Sequence, residues 1–146
     1  MSRDRHQPPA WGIVFYQDPH GNVPAREFLD ACPVKVAAKV LAVLDAVRAA
    51  PLPAVSGGGL WEAMRGTMSG FYEVRVTGPG RSHYRLFCLL ENGDQAHLDA
   101  CGFAGPRIVL IDGGVKPNAA LFADAYYEDI QRKGTAYRAT PPRSIA

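Results

Sequence analysis

Arg75 and Arg85 are the side chains best suited to chemistry in this chain, because the pattern around them brings them side by side on a strand pair. They lie in Phe71-Tyr72-Glu73-Val74-Arg75-Val76 and His83-Tyr84-Arg85-Leu86-Phe87, on either side of a Gly78-Pro79-Gly80 turn. Side chains alternate across a strand with period two, so each hairpin register can be judged by the cross-strand pairs it creates. Pairing Gly78 with Ser82 around Pro79-Gly80-Arg81 sets Val76 against Tyr84, Val74 against Leu86 and Tyr72 against Cys88, all apolar. The other face then pairs Thr77 with His83, Arg75 with Arg85 and Glu73 with Phe87. A slip of one residue sets Val74 against Arg85 and Val76 against His83, mixing apolar and polar faces. The predicted register therefore makes the two arginines direct neighbours.

Like charges directly opposite on a sheet are unfavourable by about 0.2–1 kcal/mol. A phosphate would justify the pair, since guanidinium groups grip phosphate oxygens bidentately and stay charged at any physiological pH. The other explanation is a solvent-facing triad in which Glu73, diagonal to Arg85, neutralises both arginines. His83 shares the arginine face, where an imidazole could act as a general base or be an ordinary surface histidine.

The elements that must position these residues can be read along the chain. Trp11 to Tyr16 is a run of β-formers closed by Asp18-Pro19-His20-Gly21, which predicts a first strand. Asn22 is placed to cap a helix with Pro24 in its first turn, running to Asp30, and Pro33 restarts a second helix. In that second helix Val34, Ala37, Ala38, Leu41, Leu44 and Val47 form the stripe expected to cover the sheet. Pro51-Leu52-Pro53 and Ser56-Gly57-Gly58-Gly59 read as a flexible connection into Leu60 to Met64. After the hairpin, Gln95 to Phe103 alternates only weakly. Arg107 to Ile111 reads as a buried strand ending at a turn, Asp112-Gly113-Gly114. Asn118 should cap a last helix that stops at Lys133-Gly134. Residues 1–10 are expected to be a disordered tail, 11–137 a single domain, and 138–146 a mobile tail.

Composition narrows the class of protein. The chain of 146 residues is 47% hydrophobic, enough for one core, and its net charge of +2 neither requires nor excludes nucleic acid. Cys32, Cys88 and Cys101 are odd in number and form no CxxC spacing, which points to a reducing cytoplasm. His97 and Cys101 sit four apart, but no second ligand pair follows, so the spacing does not build a zinc site. No signal-peptide pattern and no run of about twenty apolar residues is present, so no membrane association is expected.

The order strand, two helices, hairpin, strand and terminal helix, with the words Phe71-Tyr72-Glu73-Val74-Arg75 and Tyr84-Arg85-Leu86-Phe87, resembles the RelE/HigB-like toxin superfamily, in particular its phage-derived HigB-like branch. The resemblance runs from about Trp11 to Tyr137 and includes the Pro24-Ala25-Arg26-Glu27-Phe28-Leu29 helix start and Val109-Leu110-Ile111 leading through glycines to Lys116. It implies an α+β, RelE-like domain: two N-terminal helices and a C-terminal helix on a twisted, mainly antiparallel sheet of about four to five strands. It also implies the toxin of a type II toxin–antitoxin system, a ribosome-dependent mRNA endoribonuclease in which a ribose 2′-hydroxyl attacks its own 3′-phosphate.

That reaction needs no cofactor or metal; it needs charge stabilisation on the phosphorane, orientation of the 2′-oxygen and proton transfer to the leaving oxygen. By the resemblance Arg75 and Arg85 clamp the phosphate and Lys116 protonates the leaving group or binds the backbone. Glu73, His83, Tyr126 and Tyr127 are further candidates for contact with substrate, the tyrosines by their position near the start of the last helix. Implied partners are a helix-turn-helix antitoxin, the ribosome and mRNA, with a homodimer or a toxin–antitoxin heterotetramer as the assembly. Two features depart from the family pattern. Gly114-Val115-Lys116-Pro117 replaces a basic pair, and Glu91 to Pro106 is longer than the usual tight hairpin. The alternative is a non-catalytic relative acting by contact, on gyrase or another partner, or a phage-derived protein without toxicity.

Overall fold

A computed structural model describes residues 11–49, 59–117, 122–139 and 141–146. The expected N-terminal tail, the Pro51 to Gly58 connection and the Asn118 cap lie outside them. The fold is α+β, with one five-stranded sheet in the order β1-β5-β4-β3-β2. The strands are β1 (Gly12–Phe15), β2 (Trp61–Ala63), β3 (Tyr72–Thr77), β4 (His83–Glu91) and β5 (Arg107–Lys116). All pairs are antiparallel except β1 with β5, as a mainly antiparallel sheet requires. The helices are α1 (Pro24–Ala31), α2 (Val34–Val47), α3 (Gln95–Cys101) and α4 (Asp124–Ala139).

Both faces of the sheet are covered, which is why its central strands are apolar on both sides. On one face α1 and α2 pack Ala25, Leu29, Val36, Val40 and Leu44 against Val74, Leu86, Cys88, Ile108 and Leu110. On the other, Ile130 and Tyr137 of α4 meet Tyr16, Phe71, Phe87, Leu89, Val109 and Ile111. The buried stripe of α2 is Val36, Val40, Leu44 and Val47, whereas Val34 is 85% and Leu41 51% exposed. The helix is apolar nearly all round, so two stripes compete and the β-branched one docks on β3.

Three glycines expected to mark stops instead allow close packing. Gly113 and Gly114 continue β5 as far as Lys116. A Cβ on Gly113 would lie 2.3 Å from the Phe28 ring, and one on Gly114 would lie 2.3 Å from Tyr126 Oη. Gly134 is buried inside α4, where a Cβ would come 2.6 Å from Phe71. The helix therefore passes Lys133-Gly134 and ends at Ala139. Asn22 does not cap α1, because its amide N–H and side-chain Nδ2 both donate to Asp18.

The weakly alternating stretch after β4 forms α3, whose N-terminus is capped by Asp94 accepting from the His97 N–H. The last residues, read from sequence as mobile, run back along the edge strand. Ile145 bridges Tyr16, the Ala146 N–H donates to the Phe15 carbonyl, and Ser144 exchanges hydrogen bonds with Gln17. Arg143 Nε donates to Glu91 Oε2 at 2.8 Å, as does Tyr137 Oη. Burial alone would raise the Glu91 carboxyl, yet hydrogen bonds from Arg143, His97 and Tyr137 hold it at about 2.

Candidate phosphate-binding cleft

The hairpin register is the one its apolar pairs demand: Val76 opposite Tyr84, Val74 opposite Leu86, Tyr72 opposite Cys88, and Arg75 opposite Arg85. The Gly78 N–H donates to the Ser82 carbonyl at 2.8 Å, closing the Pro79-Gly80-Arg81 turn. On the next strand Gly114 lies opposite Arg85 and Lys116 opposite His83. Glu73, Arg75, Thr77, His83, Arg85 and Lys116 therefore share one face across β3, β4 and β5. It is the face that α4 covers further along, where Phe87 and Leu89 are buried. Among the described residues α4 begins at Asp124, and the sheet beyond Phe87 borders a cleft.

That cleft, of about 320 Å³, is lined by Glu62, Arg65, Glu73, Arg75, Arg85, Lys116 and Tyr127, with Ala63 and Met64. Its four cations face two carboxylates, leaving a positive excess suited to an anion. Arg75 and Arg85 also border a larger groove of about 750 Å³ toward α2, with His83, Thr77 and Leu60. The arginines thus stand between two openings.

Both guanidinium groups reach one carboxylate oxygen. Glu73 Oε1 lies 3.2 Å from Arg85 Nε and 3.6 Å from Arg75 Nε. The triad anticipated from the register is present, but it is not solvent-facing throughout: the Arg85 side chain is 8% exposed and that of Arg75 44%. Arg85 also donates from Nη1 to the Tyr84 carbonyl, which fixes its fork. Burial, with Glu62 nearby, raises the Glu73 carboxyl above its ordinary value, and Arg85, Arg75 and Lys116 only partly offset this.

Burial and the neighbouring Arg85 and Arg75 lower the Lys116 ammonium, moving it toward proton donation. Its Nζ sits 5.2 Å from the centre of the Phe122 ring. Partial burial and the charges of Arg85, Lys116 and Arg75 likewise lower the His83 imidazole, which favours the neutral ring that a general base requires. Thr77 Oγ1 is 3.5 Å from His83 Nδ1.

The two tyrosines separate. Tyr127 lines the cleft, with its ring edge-on to Phe87. Tyr126 turns inward, stacks on Phe122 at 4.4 Å, and buries a hydroxyl with no hydrogen-bond partner among the described residues. Arg65 was not anticipated. It follows β2 immediately before a short 3₁₀ turn (Gly66–Met68), and its only sequence signal is a basic residue beside a glycine. Side chains with metal-binding donors gather elsewhere: Glu91, His97 and Cys101 at the opposite end of β4.

No protein-family profile and no curated protein matches the chain. Its fold is similar to that in the crystal structure of the toxin–antitoxin complex RelBE2 from Mycobacterium tuberculosis, at 18% identity and a TM-score of 0.43, covering 76% of this chain and 94% of that one. Among the described residues no helix is long and apolar enough to cross a membrane.

Proposed function

We propose that this chain is the toxin of a type II toxin–antitoxin pair, of the phage-derived HigB-like kind, and cleaves mRNA on the ribosome in the cytoplasm. The observation that carries the reading is the convergence of Arg75, Arg85 and Lys116 from three adjacent strands on one cleft. The resemblance of the Phe71-to-Arg75 and Tyr84-to-Phe87 words names RNA as the source of the phosphate. Arg65 supplies a further positive charge in the cleft where Lys116 stands without the basic neighbour usual in the family.

In this mechanism the scissile phosphate displaces Glu73 and is gripped by Arg75 and Arg85, which stabilise the charge on the phosphorane. His83, in the adjoining groove that the two arginines also border, takes the proton of the attacking 2′-hydroxyl. Lys116 gives a proton to the departing 5′-oxygen, leaving a 2′,3′-cyclic phosphate and a free 5′-hydroxyl. Tyr127 offers a ring at the rim for an adjoining base. A helix-turn-helix antitoxin is the expected partner, and the assembly is a homodimer of this chain or a toxin–antitoxin heterotetramer.

A second reading, inhibition by contact, is favoured by the engagement of both arginines with Glu73. Induced expression of the wild type, Arg75→Ala and Lys116→Ala in a bacterial host, with 5′-end mapping of mRNA, separates the two. Growth arrest with new 5′-hydroxyl ends inside reading frames, lost in both variants, supports cleavage. Arrest without new ends supports contact inhibition, and absence of arrest refutes the toxin reading.

A further inference from the structure

The far end of β4 carries a second cluster that the cleft does not use. Glu91 closes β4, and a short turn leads into α3, where His97 and Cys101 stand four residues apart on one helical face. His97 Nε2 is 2.9 Å from Glu91 Oε1 and 3.6 Å from Cys101 Sγ. Cys101 Sγ is 3.6 Å from Glu91 Oε2. Zn²⁺ bound tetrahedrally, with metal–ligand distances of about 2.0–2.3 Å, requires ligand atoms separated by roughly 3.2–3.6 Å. Cys101 Sγ stands at that separation from His97 Nε2, the Glu91 carboxylate turns Oε1 to His97 and Oε2 to Cys101, and the 2.9 Å contact between Nε2 and Oε1 would have to open by a few tenths of an ångström to admit the ion.

The surroundings are those of a supported metal centre. Glu91 and Cys101 are buried, whereas the His97 side chain is 42% exposed and leaves an entry path. Arg143 and Tyr137 both donate to Glu91 Oε2, which orients the carboxylate and leaves Oε1 toward His97. The His97 side chain packs close to Gly93, where an added Cβ would come within 2.6 Å of the ring. With the Cys101 thiol deprotonated, a divalent ion would meet two negative ligands and the single positive charge of Arg143. The pattern of paired ligands that marks a zinc site in sequence is absent because the third ligand comes from a strand rather than from a second helix or knuckle.

We propose that Glu91, His97 and Cys101 form a Zn²⁺ site with one position open to water. One thiolate, one imidazole and one carboxylate are a donor set that suits zinc. Glu91 lies six residues along β4 from Arg85, about 20 Å at the rise of a strand, so the ion takes no part in the basic cleft. Its effect is to tie β4, α3 and, through Arg143, the C-terminal residues together. Binding replaces the thiol proton, which is released to solvent.

The test is titration of the reduced full chain with Co²⁺, whose tetrahedral thiolate complexes show a sulfur-to-cobalt charge-transfer band and intense visible bands. One equivalent should bind, Zn²⁺ should displace it, and a hundredfold excess of Zn²⁺ over its Kd should raise the melting temperature by roughly 5–10 °C. Cys101→Ser and His97→Ala should abolish the band, and Cys32→Ser should keep it. His97 is partly exposed, so His97→Ala tests the site even if Cys101→Ser fails to fold. A wild-type chain without the thiolate band, or a band that survives His97→Ala or follows Cys32, overturns the proposal.

Discussion

Glu73 occupies both arginines of the basic cleft and offsets part of its positive charge. Glu73→Gln removes the charge that competes with an incoming phosphate while keeping an acceptor for Arg85. The variant should bind an uncleavable 2′-O-methyl oligonucleotide about tenfold more tightly, read by fluorescence anisotropy. The same competition gives a pH dependence. The Glu73 carboxyl titrates above its ordinary value, so as pH falls through that raised value it becomes neutral and frees both arginines. Oligonucleotide binding by the wild type should therefore strengthen as pH falls through that raised value, and binding by Glu73→Gln should lack this component. The folded state binds the Glu73 proton more tightly than the unfolded chain, so this group's contribution to stability falls as pH rises through the same window. The two arginines also differ in what their removal reports. Arg75→Ala should reduce cleavage roughly a hundredfold with stability changed by no more than about 0.5 kcal/mol, because the side chain is half-exposed. Arg85→Ala removes a buried side chain and the nearer partner of the partly buried Glu73 and should lower stability by about 2 kcal/mol in urea unfolding, so its loss of activity is the less clean result.

Among the elements, β5 shows how the cleft depends on residues that carry no side chain. Gly113→Ala should lower stability by about 1–3 kcal/mol, seen as a lower urea midpoint with unchanged slope, because the added methyl group meets the Phe28 ring of α1. The same glycines explain where sequence reading succeeded and failed. The β3–β4 register was legible because only one alignment keeps Val74, Val76, Leu86 and Cys88 on a common apolar face. Arg75, Arg85 and His83 were placed with it. The extension of β5 through Asp112-Gly113-Gly114 was not legible, since glycines that admit a neighbouring ring look the same in sequence as glycines that turn the chain. The face of α2 was ambiguous because the helix offers apolar residues in almost every direction. α3 is short, and its strongest signal, the Asp94 cap, sits in an Asn92-Gly93 context that reads equally well as a turn. The Arg65 and Tyr127 contributions to the cleft depend on how β2 and α4 approach it, which no local pattern encodes.

For the whole molecule, the decisive contacts are those between the two ends of the described chain. Deleting residues 141–146 removes the Arg143 partner of the buried Glu91 and the cover over β1, and should lower stability by about 3 kcal/mol in thermal or urea unfolding. The basic cleft, at the other end of β4, should keep its oligonucleotide affinity in the truncated chain. The bridge from Tyr16 to Ile145 has a further, kinetic consequence. It joins residues separated by nearly the full length of the sequence, so closing it early in folding would carry a large loop-entropy penalty. Such a contact is expected to form after the sheet has assembled and to be absent from the folding transition state. Its removal should leave the refolding rate almost unchanged and appear as faster unfolding. The last residues therefore act as a latch, governing how long the assembled domain survives rather than how quickly it is made.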